Sequence, residues 1–320
     1  MTAQQKQRKV VVIGGGTGNS SVLRGLKRYP FAITAIVTMF DSGSSSGILR
    51  DEFGILPPGD VRQCLIALAE EKKEPMLREL FAYRFKNGGT LNGHSFGNLF
   101  LTALTHILKD DAKAIKKAGE LLNINGQVLP VSLDNAHVHA RLEDGTIIEG
   151  ETNISVPKHD GNLKVKEVFL APSAKLFLEA KKAIVGADLV IIGPGGLYSS
   201  LIPNLLVEGM KEALRKSRAK KIYIMNLMTR WGETNNLSAS DCAREILSYA
   251  RIEKFDFIIC NSKKVSKKVM GAYAKEKKYP VVLDDDLAKY GKKIVASSLY
   301  KGDDLLRHDS DALAKIIASL

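Results

Sequence analysis

The stretch KVVVIGGGTGNSSVLRGLK, residues 9–27, runs a β-branched apolar segment, a glycine-rich loop and an amphipathic segment in direct succession. That order is the βα unit of a parallel sheet, with a strand over Lys9–Ile13, a loop over Gly14–Asn19 and a helix through about Lys27. Glycines at such a turn let backbone N–H groups approach a phosphate and aim the helix N-terminus at it. Gly14, Gly15, Gly16 and Gly18, with Thr17 between them, exceed what tight packing alone requires.

The dinucleotide fingerprint asks for Gly-x-Gly-x-x-Gly/Ala and an acid about 20 residues on. Gly14 and Gly16 fit, and Asp41 stands near the end of the second strand. The third position, however, is Asn19, whose side chain would crowd the close helix–strand contact. An NAD(P)-dependent oxidoreductase would rest on Gly14, Gly16 and Asp41 alone. No Lys follows the loop at Walker A spacing, which argues against that class of nucleoside triphosphatase.

The same unit recurs along the chain, so the expected fold is α/β, a Rossmann-like doubly wound, mainly parallel sheet. AITAIVTMF is the second strand and ends in the loop DSGSSSG. In PPGDVRQCLIALAEE, Asp60 is placed to cap a helix, and LFLTALTHILK is a helix apolar enough to be central. From about residue 126 to 170 the period changes to two, which predicts a small antiparallel β insertion. Doubly wound units resume with ADLVIIG, the loop PGGLYSS and the helix LIPNLLVEGMKEALRKS, then KIYIMNL and the helix DCAREILSYA. FDFIICN, YPVVLDD and KIVASSL read as the last strands and DALAKIIASL as a closing helix. With no low-complexity linker, residues 1–320 are expected to form one compact domain.

Composition narrows the class. The 320 residues are 45% hydrophobic, enough for a full core, and no apolar run approaches the roughly 20 residues of a membrane span. The polar start MTAQQKQRK is unlike a secretory signal, so a cytoplasmic protein is expected. Cys64, Cys242 and Cys260 lack zinc-site spacing and read as buried thiols. The formal charge of +12 favours an anionic partner. Much of it is Lys in NSKKVSKKVMGAYAKEKKYP, spread around a helix without interleaved aromatics, as on a solvated face rather than a nucleic-acid groove.

In an open α/β sheet, ligands bind beyond the carboxyl ends of the strands, where the remaining polar loops fall. DSGSSSG offers Asp41 and the hydroxyls of Ser42, Ser44, Ser45 and Ser46, fit for a phosphate, a sugar or hydrated Mg²⁺. NGHSFGN places His94, Ser95 and Asn98 at a helix start, with His94 the best acid/base candidate and Asp60 a second. GPGGLYSSLIPN repeats the logic of the first loop: Gly193, Gly195 and Gly196 free the backbone, while Tyr198, Ser199 and Ser200 supply hydroxyls. Two such loops suggest a ligand with two recognised ends. MTRWGETN adds Thr229 and Arg230 after Asn226, and Arg230 can fork onto a phosphate. His137 and His139 share one side of an expected strand without a third metal ligand, and nucleophile-elbow signals are absent.

Taken in order, VVIGGGTGNSSVLRGLK, ITAIVTMFDSGSSSGILRDEFGILPPGDVRQCLIALA, LFAYRF, GHSFGNLFLTAL, DLVIIGPGGLYSSLIPNLL and IYIMNLMTRWGETNNLSASD closely resemble the bacterial gluconeogenesis factor family (YvcK-like). That family resembles in turn the 2-phospho-L-lactate transferases (CofD-like). The resemblance implies a CofD-type sheet and a nucleotide-linked ligand, a UDP-sugar on one side of the relationship and a guanosine diphosphate diester on the other. It also implies roles in carbon metabolism, cell shape and envelope synthesis. Carried over by motif, Gly14 to Asn19 would cradle the diphosphate, and Asp41, Ser45 and Ser46 would line the acceptor or metal side, with Asp60 beneath. His94, Ser95 and Asn98 would close the pocket, and Gly193 to Ser200 with Asn204 would hold the nucleotide end. The expected partners are a nucleotide-sugar or other nucleotide diphosphate and a second copy of the chain, with no nucleic acid; Mg²⁺ on Asp41 is the cofactor the site admits. Two departures stand out: Ser42 and Ile48 replace a usual Asp and Arg, and Arg230 and Trp231 replace a usual Gln-Pro.

Overall fold

The computed structural model describes residues 7–70, 73–86, 89–302 and 305–320. The first six residues of the polar start and residues 87–88, at the head of the loop before His94, lie outside the described residues. Seven strands form one parallel sheet: β1 (Arg8–Gly14), β2 (Phe31–Val37), β3 (Gln127–Pro130), β7 (Leu189–Ile192), β8 (Lys220–Ile224), β9 (Phe255–Asn261) and β10 (Gly291–Ser297). Their spatial order is β3-β2-β1-β7-β8-β9-β10, every neighbouring pair parallel. In chain order this is the doubly wound arrangement, and the winding reverses between β1 and β7. Both glycine loops leave those two strands, so the sheet itself sets them on either side of the switch-point crevice.

Helices cover both faces, and Val10, Val12 and Ile13 of β1 are fully buried, as the unbroken apolar run requires. Each such side chain contributes about 1.5–3 kcal/mol by leaving water. The three cysteines are free and buried. In the helix Lys267–Lys275, Val269 is buried and the lysines face outward.

A second sheet of three antiparallel strands, β4 (His137–Leu142), β5 (Ile147–Glu149) and β6 (Val165–Ala171), forms the insertion, with a short helix Glu151–Ser155 inside it. Its expected start at residue 126 is corrected: Gln127–Pro130 extends the main sheet by pairing parallel to β2. Along β4, the half-buried His137 and His139 alternate with the buried Val138 and Ala140, and the described residues hold no His, Cys, Asp or Glu group suited to a metal.

Four further expectations change. YPVVLDD is not a strand, because β10 already fills the edge beside β9. The segment is instead pinned to the loop after β8, where Thr229 N–H donates to Tyr279 and Val281 N–H to Leu227. The helix expected across LIPNLLVEGMKEALRKS breaks after Leu206, where Val207 turns extended, and a second helix, Met210–Lys216, starts behind Gly209 at φ 93°. The helix Phe96–Leu108 is not central, since Ile107 is 75% exposed at its outer end. Within DSGSSSG, a helix begins already at Ser44.

Candidate functional site

A cleft of about 390 Å³ opens beyond the carboxyl ends of β1 and β7. Gly15–Gly18 form one wall, and Gly195, Gly196 and Ser200 another. Asn226, Thr229 and Arg230 enter from the loop after β8, while Lys278 and Leu305–His308 close the far side. The two glycine loops touch: a Cβ on Gly18 would lie 2.1 Å from the Pro194 carbonyl oxygen. They are therefore two sides of one cleft.

The first loop is open for an anion. Helix Gly16–Leu26 starts after Gly15 with no cap from Gly15 and no acid of its own in its first turn; the Asp60 carboxylate takes the Gly16 N–H, and no described side chain accepts from Thr17 or Gly18 N–H. Gly16 takes φ +61°, which favours glycine. Asn19 is fully buried against Gly14, where a Cβ would meet its Oδ1 at 2.6 Å. The crowding expected of Asn19 is thus absorbed by the missing Cβ of Gly14.

The second loop differs. Its turn of π-helix, Leu197–Leu201, is capped by the carboxylate of Glu233, which accepts from the Tyr198 and Ser199 N–H groups at 3.0 and 3.3 Å and from Ser199 Oγ at 3.0 Å. These donors are spent inside the protein. Tyr198, Ser199 and Asn204 stand buried behind the loop, and Asn204 donates to the Ser200 carbonyl. Asn226 secures Gly195 from both sides, accepting from its N–H at 3.0 Å and donating to its carbonyl at 2.7 Å. Glu233 itself pairs with Arg230 at 3.0 Å.

A smaller chamber of about 170 Å³ adjoins the cleft, with Asp41, Ser45, Ser46, Asp60, Arg62 and Arg84 on its walls. Asp60 separates the two spaces, for its Oδ2 lies 2.1 Å from where a Gly15 Cβ would be. It is not the cap that PPGD suggests. Pro58 holds that position in the helix Gly59–Leu68, and the Asp60 carboxylate turns toward Gly16 instead. Burial first, then the charges of Asp41 and Glu151, push Asp60 up to about 8, against the Gly16 backbone hydrogen bond and Arg62. Glu151, brought in by the insertion, rises to about 7 through burial and the nearby Asp41 and Glu233.

Behind the chamber runs a buried relay. Arg62 Nε donates to Asn98 Oδ1 at 2.9 Å, Asn98 Nδ2 donates to Ser45 Oγ at 3.1 Å, and Ser45 Oγ lies 3.1 Å from His94 Nδ1. Arg62 can only donate, which sets the Asn98 amide with its Nδ2 toward Ser45; the His94 tautomer sets the direction of the last link. His94 does not line the chamber and reaches it only through Ser45. Ser95 caps the following helix by accepting from Asn98 N–H. Asp41 Oδ1 accepts from Gly43 N–H at 2.8 Å, so a Mg²⁺ there would need Asp60 and ligand phosphates to complete its shell.

The two departures meet the insertion. Ser42 Oγ accepts from Thr152 N–H at 3.1 Å, while Trp231 packs on Gly161 beneath the Lys277 ammonium, 4.0 Å from its ring. Sequence reasoning missed Glu233, Glu151, Arg62 and His308. The imidazole of His308 lines the cleft, lies 3.0 Å from the Met225 carbonyl and is held neutral, near 4, by burial. Only Glu233 left a local signal, an acid three residues beyond Arg230.

This sheet order is that of a doubly wound α/β protein, and residues 10–300 match the family model described as 2-phospho-L-lactate transferase CofD; the chain belongs to that family. It is 45% identical to the gluconeogenesis factor of Halalkalibacterium halodurans over 98% of this chain and 96% of that one. It is 41% identical to the gluconeogenesis factor of Bacillus subtilis over 98% of both. A crystal structure of protein BH3568 from Bacillus halodurans superposes with a TM-score of 0.92 at 44% identity, covering 98% of this chain and all of that one. No helix among the described residues is long and apolar enough to cross a membrane.

Proposed function

We propose that the protein is a gluconeogenesis factor that binds a nucleoside diphosphate conjugate, a UDP-sugar, and regulates carbon metabolism, cell shape and envelope synthesis. The observation carrying the nucleotide reading is the helix N-terminus after Gly15, where Thr17 and Gly18 N–H have no side-chain acceptor among the described residues and line a cleft that the second loop completes. Gly14 to Gly18 supply the diphosphate cradle, with Asn226 and Ser200 fixing the opposite wall. The uridine and the sugar rest on the resemblance to the gluconeogenesis factor family, which the curated relatives support. The oxidoreductase alternative loses its ribose anchor, since Asp41 lines the smaller chamber and not the glycine-loop cleft. Calorimetry with UDP-sugars, NAD(P) and guanine nucleotides should give micromolar binding of uridine conjugates; a panel in which none of them binds ends this reading.

A second reading, a phosphotransferase acting on a nucleotide diphosphate diester, is favoured by the chamber beside the cradle. There Asp60, driven up to about 8 by burial and by the charges of Asp41 and Glu151, is a carboxyl whose ionised form calls for a cation beside it. Mg²⁺ would supply charge neutralisation of the phosphates, with Asp41 and Asp60 as its protein ligands. Mg²⁺-dependent release of GMP from a guanosine diphosphate diester is its expected signature, and inert behaviour with and without the metal counts against it.

A further inference from the structure

The helix Phe96–Leu108 turns apolar residues outward. FGNLFLTALTHIL has apolar residues on every side, the pattern of a helix enclosed by protein, yet the residues it buries are Gly97, Asn98, Leu101 and Thr102. Asn98 belongs to the relay behind the chamber, so part of the inward side is spent on hydrogen bonds. The helix Pro75–Ala82 covers the first half of the outer side, where the Phe81 ring lies 6.4 Å from Phe96 and 5.1 Å from Phe100. The second half stays open, with Ala103 and Ile107 exposed.

The covering helix has the same unfinished surface, since Phe81 is its one buried residue. Met76, Leu80 and Tyr83 follow at i, i+4 and i+7, on one face, and all are exposed, Met76 by 68%. Apolar stripes left open on two adjoining helices mark an interaction surface. Its borders carry both signs: Glu74 and Glu79 stand on the shorter helix, Lys109 and Lys113 past the end of the longer one, all exposed. Lys113 shares a surface pair with Asp110, which an incoming carboxylate can replace at little cost. An anionic bilayer or a nucleic acid would repel the two glutamates. A two-fold contact instead sets the acidic edge of one copy against the basic edge of the other, and does so twice.

We propose that a second copy of this chain docks on the face made by Met76, Leu80, Tyr83 and Ile107, giving a two-fold dimer. The contact sits behind the chamber and does not depend on which nucleotide the cleft takes. Phe96 N–H donates to the Tyr83 carbonyl and Phe85 N–H to that of His94, while Arg84 between them lines the chamber. A copy that seals the stripe therefore braces Arg84 and the His94 end of the relay.

The test is sedimentation equilibrium on the full chain. The native protein should run at twice the mass of the chain, with a dissociation constant on the order of micromolar or tighter. Leu80→Glu and Ile107→Glu alter exposed positions, so each should keep the native far-ultraviolet dichroism while weakening the dimer about a hundredfold. Val156→Glu, at an exposed site on the insertion, should leave the dimer intact. Glu79→Lys should weaken it about tenfold and adding Lys109→Glu should restore it, a rescue that a misfolded variant does not give. In the Ile107→Glu monomer the amides of Phe85 and Phe96 should exchange about tenfold faster. A native protein still monomeric at about 100 µM overturns the proposal. So does a dimer that survives both glutamate substitutions, which puts the contact elsewhere. Binding of the native chain to phosphatidylglycerol vesicles that Ile107→Glu abolishes overturns it too, by making the face a lipid surface. Unchanged amide exchange in the monomer overturns the link to the chamber.

Discussion

Asparagine at position 60 should stabilise the protein, and the gain should grow with pH. In the folded chain the Asp60 carboxyl is raised from 3.8 to about 8 by burial and by Asp41 and Glu151. The sign follows from linkage: between those values the native state holds a proton that the unfolded chain has released, so stability falls as pH rises. The slope is about 1.4 kcal/mol per pH unit, and the full penalty above pH 8 is on the order of 5 kcal/mol. Asparagine has no charge to bury and keeps an oxygen for the Gly16 backbone. Urea midpoints at pH 5, 6.5 and 8 should therefore diverge, with Asp60→Asn the more stable throughout and most so at pH 8. A residual slope should persist below pH 7 from Glu151, raised from 4.5 in the same way. Parallel profiles for the two proteins across this range would refute the assignment. A protein that gathers Asp41, Asp60 and Glu151 against their mutual repulsion is shaped by what they meet. The stabilised variant should accordingly lose ligand-dependent chemistry in the chamber, the trade-off expected of a functional site.

What the sequence disclosed follows the range of each interaction. The strands flanking the cleft were legible because a buried parallel strand must be an apolar run, as Val10–Ile13 and Leu189–Ile192 are. The first glycine loop was legible because its φ values and its approach to Pro194 demand glycine locally. Gln127–Pro130 was misplaced because a short edge strand and an antiparallel insertion share one period. Asp60 was misjudged because PPGD resembles a capped helix start, while the direction of its carboxylate is decided by Gly15 and Gly16 on another element. The similarity of the two glycine loops also misled. Whether a helix N-terminus is open depends on a residue far along the chain, and Glu233, 35 positions beyond Tyr198, closes the second one.

Alanine at position 18 should destabilise the protein although it lies in a helix, where alanine is ordinarily the better residue by about 0.8–1 kcal/mol. Gly18 has no positive φ to relieve, so propensity alone predicts a gain. Sterics predict the reverse, because the added Cβ would lie 2.1 Å from the Pro194 oxygen and 2.7 Å from its carbonyl carbon. Backbone cannot step aside as a flexible side chain can, and Asn226 grips the adjacent Gly195 through both its N–H and its C=O. The expected loss is about 3 kcal/mol, the upper part of the range for overpacking. Nucleotide affinity should fall with it by tenfold or more, since the two walls of the cradle must part. Gly271 supplies the internal control: it sits in the helix Lys267–Lys275 with nothing within 4 Å of an added methyl, and its φ is ordinary. Gly271→Ala should raise stability by about 0.5–1 kcal/mol and leave nucleotide affinity alone. Urea titration and calorimetry on both variants give opposite signs if the glycine loops bear on each other as described. A Gly18→Ala protein as stable as Gly271→Ala, with affinity intact, would mean that the two loops do not form one cradle.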